Sequence, residues 1–406
     1  MGELMSSEGG LIQTGPFGSQ LKQSEYTTEG VPVIMPKDIR NGTIDTDSVA
    51  RIPEARTSSL ARHRVKVNSI VFPRRGEITK RAFITPDHEN WICGTGCLKI
   101  EPQGKLLDPR FLYYFMGTGD SVDWLLKNAV GSTMLNLSAE IMSRFPISVP
   151  PIDVQKRIAS SLSTYDDLIE NNRRRISLLE EAARLLYREW FVHFRFPGHE
   201  HVRIINGVPE TFEVFELGNV CKLRGGNGFK TKFQGLNSGD YPFIKVGDMN
   251  SAGNSVSITE ANNWISEIVA KELKAKPFPS GTVIFAKIGE ALKQNRVRIA
   301  IRDTIIDNNM MGAIPDEEFV SPAFLYYTLS SYDIASHASG AAVPFLTAGV
   351  LSRIKFPIPN ITLRINFDSI VDPIQKQIAN LQVQITSTAR ARDLLLPRLM
   401  DGKLEV

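Results

Sequence analysis

"DPRFLYYF" at Asp108–Phe115 returns 213 positions later as "SPAFLYYT" at Ser321–Thr328. The chain has nine tyrosines in 406 residues, and four of them lie in these two copies of Phe-Leu-Tyr-Tyr. The surroundings repeat as well. "SIVFPRRGE" (Ser69–Glu77) aligns with "TVIFAKIGE" (Thr282–Glu290) at the same offset. "YTTEGVPVIMPKDIRNG" (Tyr26–Gly42) resembles "LNSGDYPFIKVGDMNSAG" (Leu236–Gly253), and "RFPISVPPI" (Arg144–Ile152) matches "KFPIPNI" (Lys355–Ile361) across a small gap. Four matches in one order make the chain two copies of one unit, roughly 1–195 and 196–406.

Each copy has the same internal order. Short, β-branched apolar runs come first: "VPVIM", "SIVF" and "WICGTGCLKI", then "YPFIKV" and "TVIFAKI". Their brevity and the Gly, Pro, Asn and Asp between them predict strands. A helical stretch follows around each Phe-Leu-Tyr-Tyr, with Phe111, Leu112 and Phe115 at core spacing. Each copy closes with a Pro-marked start and one long helix. The first begins near "PPIDVQ", where Pro suits the first helical turn and Asp153 suits the positive end of the dipole.

Alternating steps of four and three from Ile158 give Leu162, Tyr165, Ile169, Asn172, Ile176, Leu179, Ala183, Leu186 and Trp190. That is a coiled-coil seam with one polar member, Asn172, of the kind that fixes register. Moved on by 209, the series becomes Phe367, Val371, Ile374, Ile378, Leu381, Ile385, Thr388, Arg392, Leu395 and Leu399. Neither helix can bury such a stripe alone, so the two are expected to pair antiparallel. Tandem units joined this way acquire an approximate twofold relation. A helix from Ile158 to Trp190 rises about 48 Å at about 1.5 Å per residue. Pro373 falls inside the second seam, and a kink or break is expected near Asp372. The expected fold is α+β: two similar α/β domains separated by two long antiparallel coiled-coil helices.

Composition narrows the function classes. Hydrophobic residues at 42% and charged residues at 22% describe a globular protein. No apolar run reaches membrane-spanning length, and the first 20 residues lack a leader pattern, so a cytoplasmic protein is expected. Three cysteines, Cys93, Cys97 and Cys221, fit a reducing compartment, and the C-x3-C pair has no second ligand pair beside it. "VHFRFPGHEHV" carries His193, His199 and His201, which read as a solvated connector rather than a metal site. There is no phosphate-binding loop, since "GGNGFKTK" (Gly225–Lys232) has its glycines in another order. No G-x-S-x-G elbow, H-E-x-x-H helix or amino-methyltransferase tetrapeptide occurs either.

A net charge of +3 is weak, so clustering must carry any argument for nucleic acid. "ARHRVK" and "PRRGEITKR" place Arg62, Arg64, Lys66, Arg74, Arg75, Lys80 and Arg81 within 20 residues. In copy two, "CKLRGGNGFKTKF" supplies Lys222, Arg224, Lys230 and Lys232. "AKIGEALKQNRVR" adds Lys287, Lys293, Gln294, Asn295, Arg296 and Arg298. "TGPFGSQLK" offers Ser19 and Lys22 in a Gly-rich loop, and Lys37 and Lys245 follow the second strand of each copy. Arg and Lys contact phosphates or guanine, and Asn and Gln read adenine. The plainer alternative is a solubilising surface. Three function classes therefore stand open: a DNA-reading scaffold, a stand-alone methyltransferase or nuclease, and an adaptor that binds protein.

"NRRRISLLEEAARLLYREWFVHFRFPGHE" (Asn172–Glu200) closely resembles the central region of specificity subunits of type I restriction–modification systems. "PPIDVQKRIASSLSTYDDLIE" (Pro150–Glu170) and "LLLPRLMDGKLEV" (Leu394–Val406) resemble the start of that family's central helix and its C-terminal ending. "GPFGSQLK" and "FPRRGE" are similar to short motifs of its recognition domains. The resemblance implies target recognition domains at 1–149 and 196–359, with spacer helices at 150–195 and 360–406. It implies that each domain reads one half of a split, asymmetric target in double-stranded DNA. It further implies two methyltransferase subunits on the twofold frame, with restriction subunits in the full complex. S-adenosylmethionine, ATP and Mg would belong to those partners, and this chain would hold no cofactor and catalyse nothing. One departure is visible. Copy two opens with "GVPETFEVFELGNVCKL" (Gly207–Leu223), whereas copy one lacks its Pro-Glu and Leu-Gly elements, which implies either a shortened edge in the first domain or a start placed too late.

Overall fold

The computed structural model describes residues 1–40, 42–46, 49–131, 134–251, 253–340 and 343–404. Asn41 of the repeated "KDIRNG" segment and the last two residues of the C-terminal motif lie outside the described residues. The chain divides into two compact units. Unit 1 comprises Met1–Asp167 with Ala389–Val406, and unit 2 comprises Leu168–Thr388.

Unit 1 contains β1 (Leu11–Thr14), β2 (Val31–Ile34), β3 (Ala50–Ile52), β4 (Ile70–Pro73), β5 (Ala82–Phe83), β6 (Ile92–Cys93) and β7 (Cys97–Glu101). One sheet has the order β1-β7-β4-β5 and is antiparallel throughout. A second has the order β3-β2-β6, with β2 and β6 parallel.

Unit 2 contains β8 (Phe212–Glu216), β9 (Cys221–Gly225), β10 (Tyr241–Ile244), β11 (Ser257–Ile258), β12 (Trp264–Ile265), β13 (Val283–Ala286), β14 (Val297–Ala300), β15 (Ile305–Ile306), β16 (Met310–Pro315) and β17 (Lys355–Pro359). Its sheets run β9-β16-β13-β14-β11 and β12-β10-β15, again with the β10–β15 pair parallel. In these two sheets unit 2 repeats the strand pairing of unit 1 and adds β11 at one edge; outside them the short Ile39–Arg40 and Thr43–Ile44 pair is found in unit 1. The sequence repeat is thus a repeat of hydrogen-bond topology.

The duplicated tetrapeptide opens onto each unit's core. The first docking helix (Pro109–Phe115) is capped by the Asp108 carboxylate, which accepts the N–H groups of Arg110 and Phe111. The second (Pro322–Ser331) is capped by the Ser321 hydroxyl, which accepts the Phe324 N–H. Phe111, Leu112 and Tyr114 are buried, as are Phe324, Leu325 and Tyr327. Tyr114 donates its hydroxyl proton to the Asp166 carboxylate at 2.5 Å. In unit 2, Tyr187 donates to Thr328 Oγ1 at 3.0 Å. The tetrapeptide recurs because each unit is fastened to a long helix through it.

Those helices are Ile152–Tyr187 and Ile361–Met400. Within unit 1, Ile158, Ala159 and Leu162 share one core cluster with Leu399, flanked by Leu395, Leu396 and Met400. Within unit 2, Asn172 Nδ2 donates to Gln384 Oε1 at 3.3 Å, and Tyr187, Trp190 and Phe191 pack on Phe367. Early residues of the central helix meet late residues of the C-terminal helix in unit 1. Inside unit 2 Asn172 meets Gln384 while the later Trp190 meets the earlier Phe367. Inside unit 1 Ile158 shares a cluster with Leu399 while the later Asp166 meets the earlier Arg392, so the pairing within each unit is antiparallel. Ile169, Ile176, Val371, Ile378, Leu381 and Ile385 are buried along it.

Three features depart from the heptad reading. Leu179, Leu186, Ile374 and Leu395 are only half-buried. After Ala183 the buried position moves to Tyr187, because 3.6 residues per turn drift against a strict 3.5 repeat. A π-turn at Arg188–Val192 then brings both Trp190 and Phe191 inward. The expected break at Pro373 is absent: the helix runs through it. Pro373 and Asp372 lie on the exposed side, so the lost hydrogen bond falls away from the packed stripe. Finally, copy one does carry a counterpart of the Leu-Gly element. Gly2 and Gly218 occupy equivalent places, where an added Cβ would meet the Ser143 or Ser352 Cβ at 2.9 or 2.8 Å. What copy two has in addition is β8, paired with β17.

No helix of the described residues is long and apolar enough to cross a membrane.

Candidate nucleic-acid interface

Strand direction assembles the candidate surface. β1 and β4 both run antiparallel to β7, so they point the same way. Thr14 and Phe72 both sit opposite Leu98, so the loops leaving β1 and β4 start level at one end of the sheet. In unit 2, Arg224 and Ile284 both sit opposite Gly312, and the loops leaving β9 and β13 start level in the same way. Gly15 and Gly226 allow the first loop to cross the sheet end. A Cβ at either would collide with the carbonyl of Gly94 or Asp307. The Gly15 N–H donates to the Cys97 carbonyl at 2.9 Å, and the Gly226 N–H to the Met310 carbonyl at 3.1 Å.

The candidate cations separate into two groups. Several are engaged in holding the scaffold. Arg62 Nε donates to His63 Nε2 at 3.0 Å. Arg64 donates to Thr57 Oγ1 at 2.7 Å and lies 3.5 Å from the Glu54 carboxylate. Lys80 pairs with Glu77, and Lys293 with Glu290. Arg81 donates to the Tyr113 carbonyl at 2.7 Å and lies over the Tyr113 ring, and burial lowers its pKa. Arg224 donates to the carbonyls of Lys276 and Pro277 and stacks 3.8 Å above the Phe278 ring, and burial lowers its pKa as well. Lys232 pairs with Glu272 at 2.8 Å. Lys245 donates to Gln234 Oε1 at 3.0 Å. Asn295 has φ of 44° and donates to the carbonyls of Leu329, Ser330 and Tyr332, closing the end of the second docking helix.

The second group faces solvent. Ser19, Lys22, Arg75 and Lys230 are exposed, and Lys287 and Arg296 are half-exposed. Lys37 is exposed 3.9 Å from the Asp38 carboxylate. Arg75, Lys230, Lys287 and Arg296 form no ion pair among the described residues. Arg74 is intermediate. Its Nε is buried without a hydrogen-bond partner, its guanidinium lies 5.2 Å from the Phe17 ring, and burial followed by the Arg75 charge lowers its pKa. Arg74 and Lys287 are structural equivalents, since their N–H groups donate to the carbonyls of Gly96 and Asn309 at 2.7 and 3.0 Å. Arg74 over Phe17 links the two loops of unit 1. In unit 2 Lys287 Nζ lies beside Gly225 at the end of β9.

Sequence reading missed the network that fastens unit 1's tyrosines. Arg392, one of the two non-apolar members of its seam, forms an ion pair with Asp166, the acceptor of Tyr114. An arginine at a seam position was the available signal. Among the described residues, no group of three or more His, Cys, Asp or Glu side chains is placed to hold a metal ion. Cys93 and Cys97 are buried in one cluster, and burial pushes the Cys93 thiol up to about 12.

Comparison with known proteins follows from this geometry. The family model described as the type I restriction modification DNA specificity domain matches residues 18–181 and again 209–390. The chain is 28% identical over 402 residues to the type I restriction enzyme MjaIX specificity subunit of Methanocaldococcus jannaschii, covering 95% of this chain and 89% of that protein. It is 21% identical over 389 residues to the HindI specificity subunit of Haemophilus influenzae, covering 79% and 83%. Its fold is similar to that of the type I restriction–modification S subunit from M. genitalium, with a TM-score of 0.57 and 17% identity over 96% of this chain and 93% of that one.

Proposed function

This chain belongs to the type I restriction modification DNA specificity family, as a non-catalytic specificity subunit, and we propose that its two units each read one half of a split DNA target. The observation that carries this reading is the repeated sheet end. In both units two loops start level at the same edge of equivalent sheets, and both bear cations left to solvent. Loops on a rigid scaffold suit recognition, and two copies of one reader suit a target of two parts. Lys22 and Arg75 in unit 1, and Lys230, Lys287 and Arg296 in unit 2, would approach phosphates or guanine edges. Ser19 lies on the first of these loops, and Lys37 is exposed just after β2.

The paired helices would set the spacing between half-sites and present the surface on which two methyltransferase subunits dock. Restriction subunits would join in the full complex, and S-adenosylmethionine, ATP and Mg would be held by those partners. The boundaries 1–149 and 196–359 for the readers, with 150–195 and 360–406 for the spacers, belong to this proposal, as does a cytoplasmic setting.

The test is competition binding. Methylation mapping in cells carrying the complete system defines the site. A duplex with both half-sites should then bind far better than duplexes with either alone. Equal binding to single half-sites would remove the two-reader model. Inserting four residues into both long helices adds about 6 Å to each. That should move the preferred spacer by about two base pairs, at about 3.4 Å per base pair along one strand. An unchanged spacer would dismiss the helices as the ruler.

A further inference from the structure

Beside each cationic loop stands a hairpin. In unit 1, Val130 pairs with Asn136 and Asn136 bridges onward to Arg75; residues 132 and 133 lie outside the described residues. In unit 2, Ser339 pairs with Phe345 and Phe345 bridges to Ile288; residues 341 and 342 lie outside the described residues. The fastening is the same in both. The Leu137 N–H donates to the Arg74 carbonyl at 2.8 Å, and the Leu346 N–H to the Lys287 carbonyl at 2.8 Å. The Gly76 N–H donates to the Leu135 carbonyl at 3.2 Å, and the Gly289 N–H to the Pro344 carbonyl at 2.8 Å. Gly76 and Gly289 turn the loop with φ of 76° and 71°, a region open to glycine.

The hairpins share this scaffold but little sequence, and both keep large apolar side chains in solvent. Val130 is 67% exposed and Met134 60%; Val343 is 55% exposed and Phe345 44%. Single exposed apolar residues are ordinary on a surface. Here they recur on equivalent hairpins, anchored to the backbone of the residues that carry the cations. The flanking carboxylates do not reverse the charge, because Glu77 is paired with Lys80 and Glu290 with Lys293. The neighbourhood therefore suits a polyanion that also offers flat apolar surface. Stacked bases between two phosphate strands are such a partner.

We propose that each hairpin presses an apolar wedge against a base step of the duplex, with Met134 and Val130 acting in unit 1 and Val343 and Phe345 in unit 2. This rests on the reading of the neighbouring loops as a DNA interface. Arg75 and Lys287 grip phosphates on either side of the step while the wedge loosens the stack. Such insertion kinks the duplex and lets it follow more of the protein surface.

The experiment uses the full chain and a duplex bearing the methylated site mapped in cells. 2-Aminopurine is placed at successive positions, so that fluorescence rises where a base is unstacked. Wild-type chain should brighten one step in each half-site. Met134→Ser should abolish the signal in one half, and Val343→Ser with Phe345→Ser in the other, each with about a tenfold loss of affinity. Phosphate contacts are untouched, so the salt dependence of these variants should match wild type, whereas Arg75→Ala should flatten it. All three serine substitutions are at exposed positions, and unchanged melting curves confirm that the fold survives. Unchanged fluorescence and affinity in the variants would overturn the wedge while leaving DNA reading intact. Serine variants that bind DNA normally but release a methyltransferase subunit would also overturn it, and make the hairpins a protein-docking element. Failure of the wild-type chain to bind any duplex would bring down the DNA-reading proposal itself, and the wedge with it.

Discussion

Salt dependence distinguishes the solvent-facing cations from the structural ones. Five side chains, Lys22, Arg75, Lys230, Lys287 and Arg296, lie on the cationic loops outside the scaffold contacts. If each meets one phosphate, log affinity falls against log salt with a slope of about −4.5. Binding then weakens roughly 500-fold between 50 and 200 mM salt. Replacing Arg75 or Lys287 by Ala should bring the slope to about −3.6 and the loss over that range to roughly 150-fold. Arg224→Ala and Asn295→Ala should behave differently. Arg224 is engaged by two carbonyls and the Phe278 ring, and Asn295 by three carbonyls at a helix end. Their loss should lower the melting temperature of unit 2 and leave the salt slope at the wild-type value. Fluorescence anisotropy titrations at four salt concentrations, with calorimetric melting of each variant, measure both quantities. A slope that falls by about one for Arg224→Ala, or stays fixed for Arg75→Ala and Lys287→Ala, would refute the sorting of these residues.

Other outcomes follow from packing and charge. Arg392→Leu should destabilise unit 1 by about 2 kcal/mol, because it leaves the Asp166 carboxylate with Tyr114 alone. A double-mutant cycle with Asp166→Asn should return a coupling of about 1 kcal/mol, and additivity would show the pair to be incidental. Gly15→Ala should cost unit 1 about 3 kcal/mol by forcing the loop off the Gly94 carbonyl, and Gly226→Ala should do the same to unit 2. Normal chemical-denaturation midpoints for both would contradict the crowding. Burial, then the charges of Arg62 and Lys99, lower the His63 pKa from 6.5 to about 4. The unfolded chain therefore takes up the proton first. Stability is complete above pH 6.5 and is lost as pH falls toward 4, by about 2 kcal/mol at pH 5. His63→Gln should flatten that stretch of a pH-denaturation profile, and a profile with the wild-type shape would rule His63 out.

Much of the frame was legible because it is written locally. The offset of 213 between the two tetrapeptides appears unchanged as the offset between Tyr114 and Tyr327 on equivalent helices. Most of the first seam was readable up to Ala183, with Tyr165 and Leu179 half-buried, because over that span a seven-residue repeat and a real helix still nearly agree. Beyond it, Tyr187 rather than Leu186 turned inward, because the choice depends on what Phe324 and Phe367 offer across the gap. Pro373 misled for the same reason: a proline's effect depends on which side of the helix it faces. The fates of Arg81, Arg224 and Asn295 were beyond sequence reading. Each sits in a basic, Gly-marked stretch like that of Arg75, yet each finds carbonyls brought near by distant parts of the chain. Counting cations in a loop measures supply, whereas tertiary structure decides which of them remain available.

Comparing equivalent positions takes this one step further. The segment after β1 or β9 is tied to the short helix after β3 (Glu54–Thr57) or after β12 (Glu267–Glu272), but with the charges exchanged. Glu25 accepts from Arg56 in unit 1, whereas Lys232 pairs with Glu272 in unit 2. The tie is kept and its sign is free, as expected where only the link is needed. The sheet-end loops show the opposite balance. Gly15 and Gly226, Gly76 and Gly289, and the hydrogen bonds that their N–H groups donate are kept. The outward residues between them differ: Arg74 with Lys287, Arg75 with Ile288, Met134 with Val343. On the proposed two-reader model, a duplicated unit must hold its backbone fixed and vary what it shows. Exchanging Arg75 and Ile288 between the units should therefore transfer part of the base preference of each half-site without changing the spacer. Unchanged methylation maps in cells carrying the exchanged chain would place target choice elsewhere on the two units.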